Sequence, residues 1–218
     1  MANFIAIAGN MGVGKSTLTL RLSKRLGLSA YLEPDTQNPY LADFYTDMKR
    51  WGFHSQVFFL VHRLRQQAEF LKEGTNVIQD RSIFENAEVF ARNLYEQGVL
   101  TSRDWQTYQI IYQTLITMLP SPNLIIYLRA SVPTLLERIV RRGRVYERAA
   151  HPDYLRDLNR LYDLWADNFG LVPILKVDTD KINFVQDDQA LENLIQDIVH
   201  LLPQKSLPLY PVSSSVNI

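Results

Sequence analysis

The stretch NFIAIAGNMGVGKST, residues 3–17, decides the fold. Residues 3–8 are an apolar run of strand type, and residues 15–27 have a helical pattern ending at Gly27. Between them the sequence fits G-x-x-x-x-G-K-[ST], the spacing of a phosphate-binding loop placed between a strand and a helix. Glycines let successive backbone N–H groups turn inward around phosphate oxygens, and the helix that follows presents its positive end. Gly9, Asn10, Met11, Gly12, Val13, Gly14, Lys15, Ser16 and Thr17 are therefore the candidate nucleotide-phosphate site. Lys15 would reach the outer phosphates and the Ser16 hydroxyl would ligate Mg²⁺. A glycine turn that only caps a helix is the alternative, and the strand-loop-helix context argues against it.

Outward from this loop, strands alternate with helices. Further strands are expected at 30–33, 76–79, 123–128 and 172–177. Helices are expected over 39–50, 53–73, 82–97, 102–119, 131–140, 152–168 and 187–202. Pro34 is expected to stop the second strand. Gly74, Gly98 and Pro120 close three of the helices, and Ser131 and Pro133 open another. Strands that read as continuous apolar runs between helices indicate an α/β fold, a five-stranded parallel sheet with helices on both faces. No repeat or linker divides the chain, so residues 1–202 are read as one domain. The Pro- and Ser-rich tail, 203–218, is expected to be flexible.

Lys+Arg and Asp+Glu both number 23, so the formal charge is zero, which argues against a general nucleic-acid partner. There is no cysteine, hence no disulfide and no thiolate metal site. No apolar run reaches membrane-spanning length, and the start MANFIAIAGN lacks the features of a secretory signal. A soluble cytoplasmic protein that binds small molecules, without membrane or nucleic acid, is the expectation.

In parallel sheets ligands bind beyond the carboxyl ends of the strands. Glu33 lies at the end of the second strand, where a carboxylate could orient and deprotonate an attacking hydroxyl. A lone loop glutamate is more often solvated. Asp80 and Arg81 end the third strand. Asp80 could hold Mg²⁺, and Arg81 could spread the charge of a transferring phosphate. Their bland roles would be a helix cap and a surface pair. Arg138, Arg141, Arg142 and Arg144 surround Gly143, with Arg138 and Arg142 on one helix face. This suits a phosphate-clasping lid over about 141–151, or a solvated helix end favoured by the dipole.

Taken in order, GNMGVGKST, EPDTQNPYLADFY, RWGFHSQVFFLVHRLRQ, DRSIFENAEVFARNL and RIVRRGRVYE resemble the deoxynucleoside kinase family, and more closely its bacterial purine-preferring branch. The likeness covers about residues 3–170. It implies a P-loop nucleoside kinase-like fold with an arginine-rich lid. The activity it implies is ATP-dependent, Mg²⁺-assisted phosphorylation of a deoxynucleoside 5′-hydroxyl in nucleotide salvage. By the resemblance Glu33 is the general base, Arg81 holds Glu33 and the 5′-oxygen, and Asp80 serves the metal. Arg138, Arg142 and Arg144 clasp donor phosphates. Tyr45 and Glu147 bind the sugar 3′-hydroxyl, the tyrosine crowding the place of a 2′-hydroxyl.

Gln56, Arg63, Asn86 and Phe90 are carried over as base-binding residues. Gln56, Phe59 and Arg63 share a helix face, and an amide and a guanidinium suit a base edge. Phe59 itself reads as core. Without the resemblance, Gln56 and Arg63 read as surface residues. Asn86 departs from the family's usual Asp, which would anchor Arg63 less firmly and alter base preference. Asn38 follows the bacterial N-P-Y version where the eukaryotic branch commonly has Trp.

A thymidylate-type monophosphate kinase would share the loop, the Asp-Arg pair and the lid, but would need more basic residues in 35–56. A switch GTPase is disfavoured, because no N-K-x-D or D-x-x-G stands in a fitting place. A nucleotide-binding regulator without catalysis would lack a base or a lid. By resemblance only, a homodimer is expected.

Overall fold

The computed structural model describes residues 3–33, 37–144, 151–184 and 186–202. Pro34, Glu147, the middle of the expected lid and the tail from 203 lie outside the described residues. β1 (Phe4–Gly9) is buried along its whole length, and this is why its sequence carries no polar alternation. It is the middle strand of a five-stranded sheet in the order β2-β3-β1-β4-β5, made with β2 (Ser29–Tyr31), β3 (Val77–Asp80), β4 (Leu124–Arg129) and β5 (Ile174–Asp178). All neighbours pair in parallel. The chain leaves β1 between β3 and β4, so the loop after β1 opens at the point where strand order reverses.

The helices are α1 (Lys15–Leu26), α2 (Leu41–Thr46), α3 (Met48–Glu73), α4 (Ile83–Glu85), α5 (Arg92–Glu96), α6 (Ser102–Met118), α7 (Val132–Arg142), α8 (Pro152–Asn168) and α9 (Asp188–Leu201). The ends of α1, α3 and α7 fall on Gly27, Gly74 and Gly143 in left-handed conformation, as the glycine signals require. α6 opens with a Thr101/Asp104 capping box.

Two local expectations are corrected. The break expected at residues 51–52 falls instead at Asp47, whose backbone is non-helical and whose side chain accepts from Arg50 N–H at 3.1 Å. Gly52 lies inside α3, where a Cβ would come within 3.0 Å of Val99 Cγ1; its smallness serves packing rather than a break. The expected helix over 82–97 is interrupted by a π-helical stretch, Asn86–Ala91, between α4 and α5. Among the described residues no helix is long and apolar enough to cross a membrane.

Candidate active site

The pairing registers bring three strand ends together. Ile7 pairs with Asp80, and Tyr31 with Gln79. Continuing the second register residue by residue brings Glu33 level with Arg81. Arg81 has φ of 69°, a left-handed conformation that costs a residue with a side chain about 1–2 kcal/mol. Its N–H still donates to the Ile7 carbonyl at 2.9 Å, so the chain turns out of the sheet without losing the ladder.

Glu33 is gripped at both carboxylate oxygens. Arg63 Nη2 donates to Oε1 at 2.6 Å and Arg81 Nε donates to Oε2 at 2.7 Å. Burial alone would push this carboxyl up, but Arg81, Arg63 and Lys15 outweigh burial and hold it down at about 2. Arg81 Nη1 also donates to the Tyr162 hydroxyl at 2.9 Å, and its guanidinium lies 4.3 Å from the centre of the Phe90 ring. A cation over an aromatic face away from water is held firmly.

The phosphate loop is shaped by its neighbours. Gly12 has φ of 79°, and a Cβ there would stand 2.9 Å from the Leu135 carbonyl of α7. Asn10 ties the loop to α8, its Nδ2 donating to the Leu155 carbonyl at 3.0 Å and to Asn159 Oδ1 at 2.9 Å. Lys15 Nζ donates to the Asn10 carbonyl at 3.0 Å. Burial first, then Arg81, lowers the Lys15 ammonium to about 8, so it stays mostly charged at neutral pH. The Ser16 hydroxyl donates to Asp80 Oδ2, and Thr17 is exposed on the first turn of α1. Asp80 Oδ1 is buried with no hydrogen-bond partner among the described residues, and burial raises this carboxyl despite Lys15.

A cavity of ≈ 330 Å³ connects these groups. Met11, Lys15, Ser16, Arg142 and Arg144 line it, as do Glu33, Arg81 and Tyr45. Gln56, Phe59, Arg63, Asn86 and Phe90 are also among its lining residues. Gln56 and Arg63 are buried, at 4% and 2% exposure, not surface residues as their sequence context alone suggests. Phe59 belongs to the core as expected, yet it also faces the cavity.

Arg63 Nη1 donates to Asn86 Oδ1 at 2.8 Å, so Asn86 together with Glu33 anchors it without a negative charge at position 86. Asn86 thus holds Arg63 through a neutral acceptor where an Asp would add a charge. Asn86 Nδ2 donates to the Tyr108 hydroxyl at 2.7 Å and to Gln56 Oε1 at 3.3 Å. Gln56 Oε1 gives one of its two acceptor sites to Asn86, so the amide can still both donate to and accept from a ligand.

Two placements differ from the sequence reading. Arg138 is absent from the cavity wall: its Nη1 donates to the Val13 carbonyl at 3.2 Å and to Thr179 Oγ1 at 3.0 Å, and its Nη2 to the Thr179 carbonyl at 2.6 Å. It fastens the phosphate loop to the end of β5. Arg141 turns outward to Glu137. Glu85, by contrast, carries no functional mark in the sequence: Ser82-x-x-Glu85 has the spacing of a capping box, whose acid is ordinarily at the surface. In the structure it is fully buried, and its Oε2 accepts from Gly9 N–H at 3.2 Å and from the Tyr162 hydroxyl at 3.0 Å.

A glycine cradle with a buried lysine, a hydroxyl–aspartate pair and an arginine-held carboxylate around one cavity define a P-loop phosphotransferase. The chain matches the family described as deoxynucleoside kinase over residues 5–203. It belongs to the deoxynucleoside kinase family and is an enzyme of that kind. It is 35% identical over 202 residues to deoxyadenosine/deoxycytidine kinase of Bacillus subtilis (strain 168), covering 92% of this chain and 93% of the relative. It is 36% identical over 209 residues to deoxyguanosine kinase of the same organism, covering 92% and 98%. Among solved structures, deoxyadenosine kinase from M. mycoides with bound dCTP matches with a TM-score of 0.77 at 32% identity, covering 90% of this chain and 98% of the other. The same enzyme with bound dATP matches with a TM-score of 0.78 at 31% identity, covering 91% and 99%.

Proposed function

We propose that the enzyme transfers the terminal phosphate of ATP to the 5′-hydroxyl of a deoxynucleoside, with a purine preferred, in cytoplasmic nucleotide salvage. The observation that carries this reading is Glu33, held by two arginines in the same cavity that the loop residues Lys15 and Ser16 line. Glu33 accepts a hydrogen bond from the 5′-hydroxyl and aims its oxygen at the phosphorus. A carboxylate held at about 2 is a weak base. Phosphoryl transfer has a loose transition state in which little charge develops early on the nucleophile, so orientation matters first and the proton moves late. Arg81 faces the developing charge, and Lys15 with the loop amides takes the donor phosphates, helped by Arg142 and Arg144. Arg138 supports the loop from behind.

Mg²⁺ fits the remaining groups. Asp80 carries a buried oxygen without a hydrogen-bond partner among the described residues, beside the Ser16 hydroxyl, and Mg²⁺ is usually held through one or two carboxylates, waters and substrate phosphates. When bound it would neutralise charge on the β- and γ-phosphates. Tyr45, which lines the cavity, would face the sugar, and by the family resemblance Glu147 would share its role at the 3′-hydroxyl. Gln56, Arg63 and Asn86 would read the base edge while Phe90 packs against its plane. Residues 1–202 would act as one domain, in a homodimer.

A coupled ATPase assay with deoxyadenosine, deoxyguanosine, deoxycytidine and thymidine tests the reading. Turnover is expected with a purine deoxynucleoside as the best substrate. Turnover with a nucleoside monophosphate and with no nucleoside would overturn it.

A further inference from the structure

Glu85 has no task in the mechanism above, yet its placement is demanding. It has no exposure at all, and among the described residues its Oε1 finds no hydrogen-bond partner and lies 4.0 Å from Arg81 Nη1. The Tyr162 hydroxyl has one proton, which it gives to Glu85 Oε2. A lone pair is thereby turned toward Arg81 Nη1, which donates to it at 2.9 Å. Gly9, the first glycine of the phosphate loop, gives its N–H to the same carboxylate oxygen. Donors therefore run from Arg81 to Tyr162 to Glu85 on one side, and from Gly9 to Glu85 on the other. A buried carboxylate with an unsatisfied oxygen weakens the fold relative to an apolar side chain of similar size. Its presence between two catalytic elements calls for a functional reason.

We propose that Glu85 is a positioning residue: through Tyr162 it sets the Arg81 guanidinium against Glu33, and through the Gly9 amide it ties that setting to the phosphate loop. The proposal rests on the phosphoryl-transfer reading above and deepens it. Glu85 touches neither substrate; it acts through Arg81, which does. The charged groups around it are Arg81 from the turn after β3, Lys15 from the start of α1, Arg63 from α3 and Glu33 from beyond β2, with the Tyr162 hydroxyl from α8. Burial pushes the Glu85 carboxyl up to about 7 against the pull of Arg81, Lys15 and Arg63. Protonation near neutrality therefore weakens the acceptor that orients Tyr162, while Glu33 keeps its charge.

The test compares steady-state kinetics of wild type, Glu85→Gln, Tyr162→Phe and the double variant, with ATP and the best deoxynucleoside. Glu85→Gln is expected to lower kcat about tenfold or more with nucleoside KM changed less than threefold, and Tyr162→Phe to act in the same direction. The double variant should be no slower than the slower single one, because the two residues act in series. Wild-type kcat should fall as pH drops below about 7, and Glu85→Gln should lose that acid limb. Melting of Glu85→Gln at pH 8 should be unchanged or higher, since a buried charge is removed. A purely structural Glu85 would instead lower melting and leave the pH profile intact, and that result overturns the proposal. So does a Glu85→Gln kcat within twofold of wild type, or single effects that multiply. Should Glu85→Gln fail to fold, a wild-type kcat flat from pH 8 to 6, or a fully active Tyr162→Phe, overturns it equally. Wild type inactive on every deoxynucleoside overturns the parent reading and this one together; active wild type with indifferent variants overturns this one alone.

Discussion

Replacing Glu33 by Gln keeps the shape of the side chain and removes the charge that Arg63 and Arg81 share. The Glu33 carboxyl is lowered from its ordinary 4.5 to about 2. At roughly 1.4 kcal/mol for each factor of ten in proton affinity, this linkage is worth about 3 kcal/mol of stability. The folded pKa is depressed, so the contribution is fully present above 4.5 and is lost as pH falls from there through about 2. Urea unfolding of wild type and Glu33→Gln should therefore differ by about 3 kcal/mol at pH 7.5, and the gap should not narrow down to about pH 5, because Lys15 and Glu85, which Glu33 also holds up, titrate in between and can only widen it. The gap should narrow only below that. In parallel, kcat of Glu33→Gln should fall about 10²–10⁴-fold, the range for losing a positioned base. A stability gap under about 0.5 kcal/mol at pH 7.5, or one that narrows between pH 8 and 6, would refute the claim that two buried guanidiniums depend on this carboxylate. Near-normal turnover would require another group as the base.

Other outcomes follow from the same geometry. Arg81→Lys should lower kcat by at least about tenfold, because an ammonium cannot reproduce the guanidinium's bonds to Glu33 and Tyr162 or its stacking on Phe90; steady-state kinetics with ATP varied will show it. Asn86→Asp should change the ranking of kcat/KM among the four deoxynucleosides, since the amide now donating to Gln56 and Tyr108 becomes an acceptor; an unchanged ranking removes Asn86 from base choice. Gly12→Ala should lower stability by about 1–3 kcal/mol in urea unfolding, because the new Cβ meets the Leu135 carbonyl and the left-handed backbone resists a side chain.

The phosphate loop was legible from sequence because its chemistry is local. Gly9, Gly12, Gly14, Lys15 and Ser16 carry their meaning in spacing alone, and the apolar run before them fixes the strand from which they hang. Glu33, Asp80 and Arg81 were legible almost as well, since a parallel sheet delivers its strand ends to one edge whatever the details of packing. Helix ends marked by glycine fell where expected for the same local reason.

What tertiary structure alone decided is where polar side chains are buried. Nothing adjacent to Gln56 or Arg63 along α3 marks them as interior residues; Asn86 and Glu33 do so from elsewhere in the fold. Arg138 looks like its lid neighbours until Thr179 and Val13 take its donors. Glu85 looks like a cap until α8 and the phosphate loop close over it. Backbone conformation and phosphate binding follow from a few consecutive residues. The partner of a buried charge is chosen by elements far apart in the chain, and only the packed fold brings them into reach.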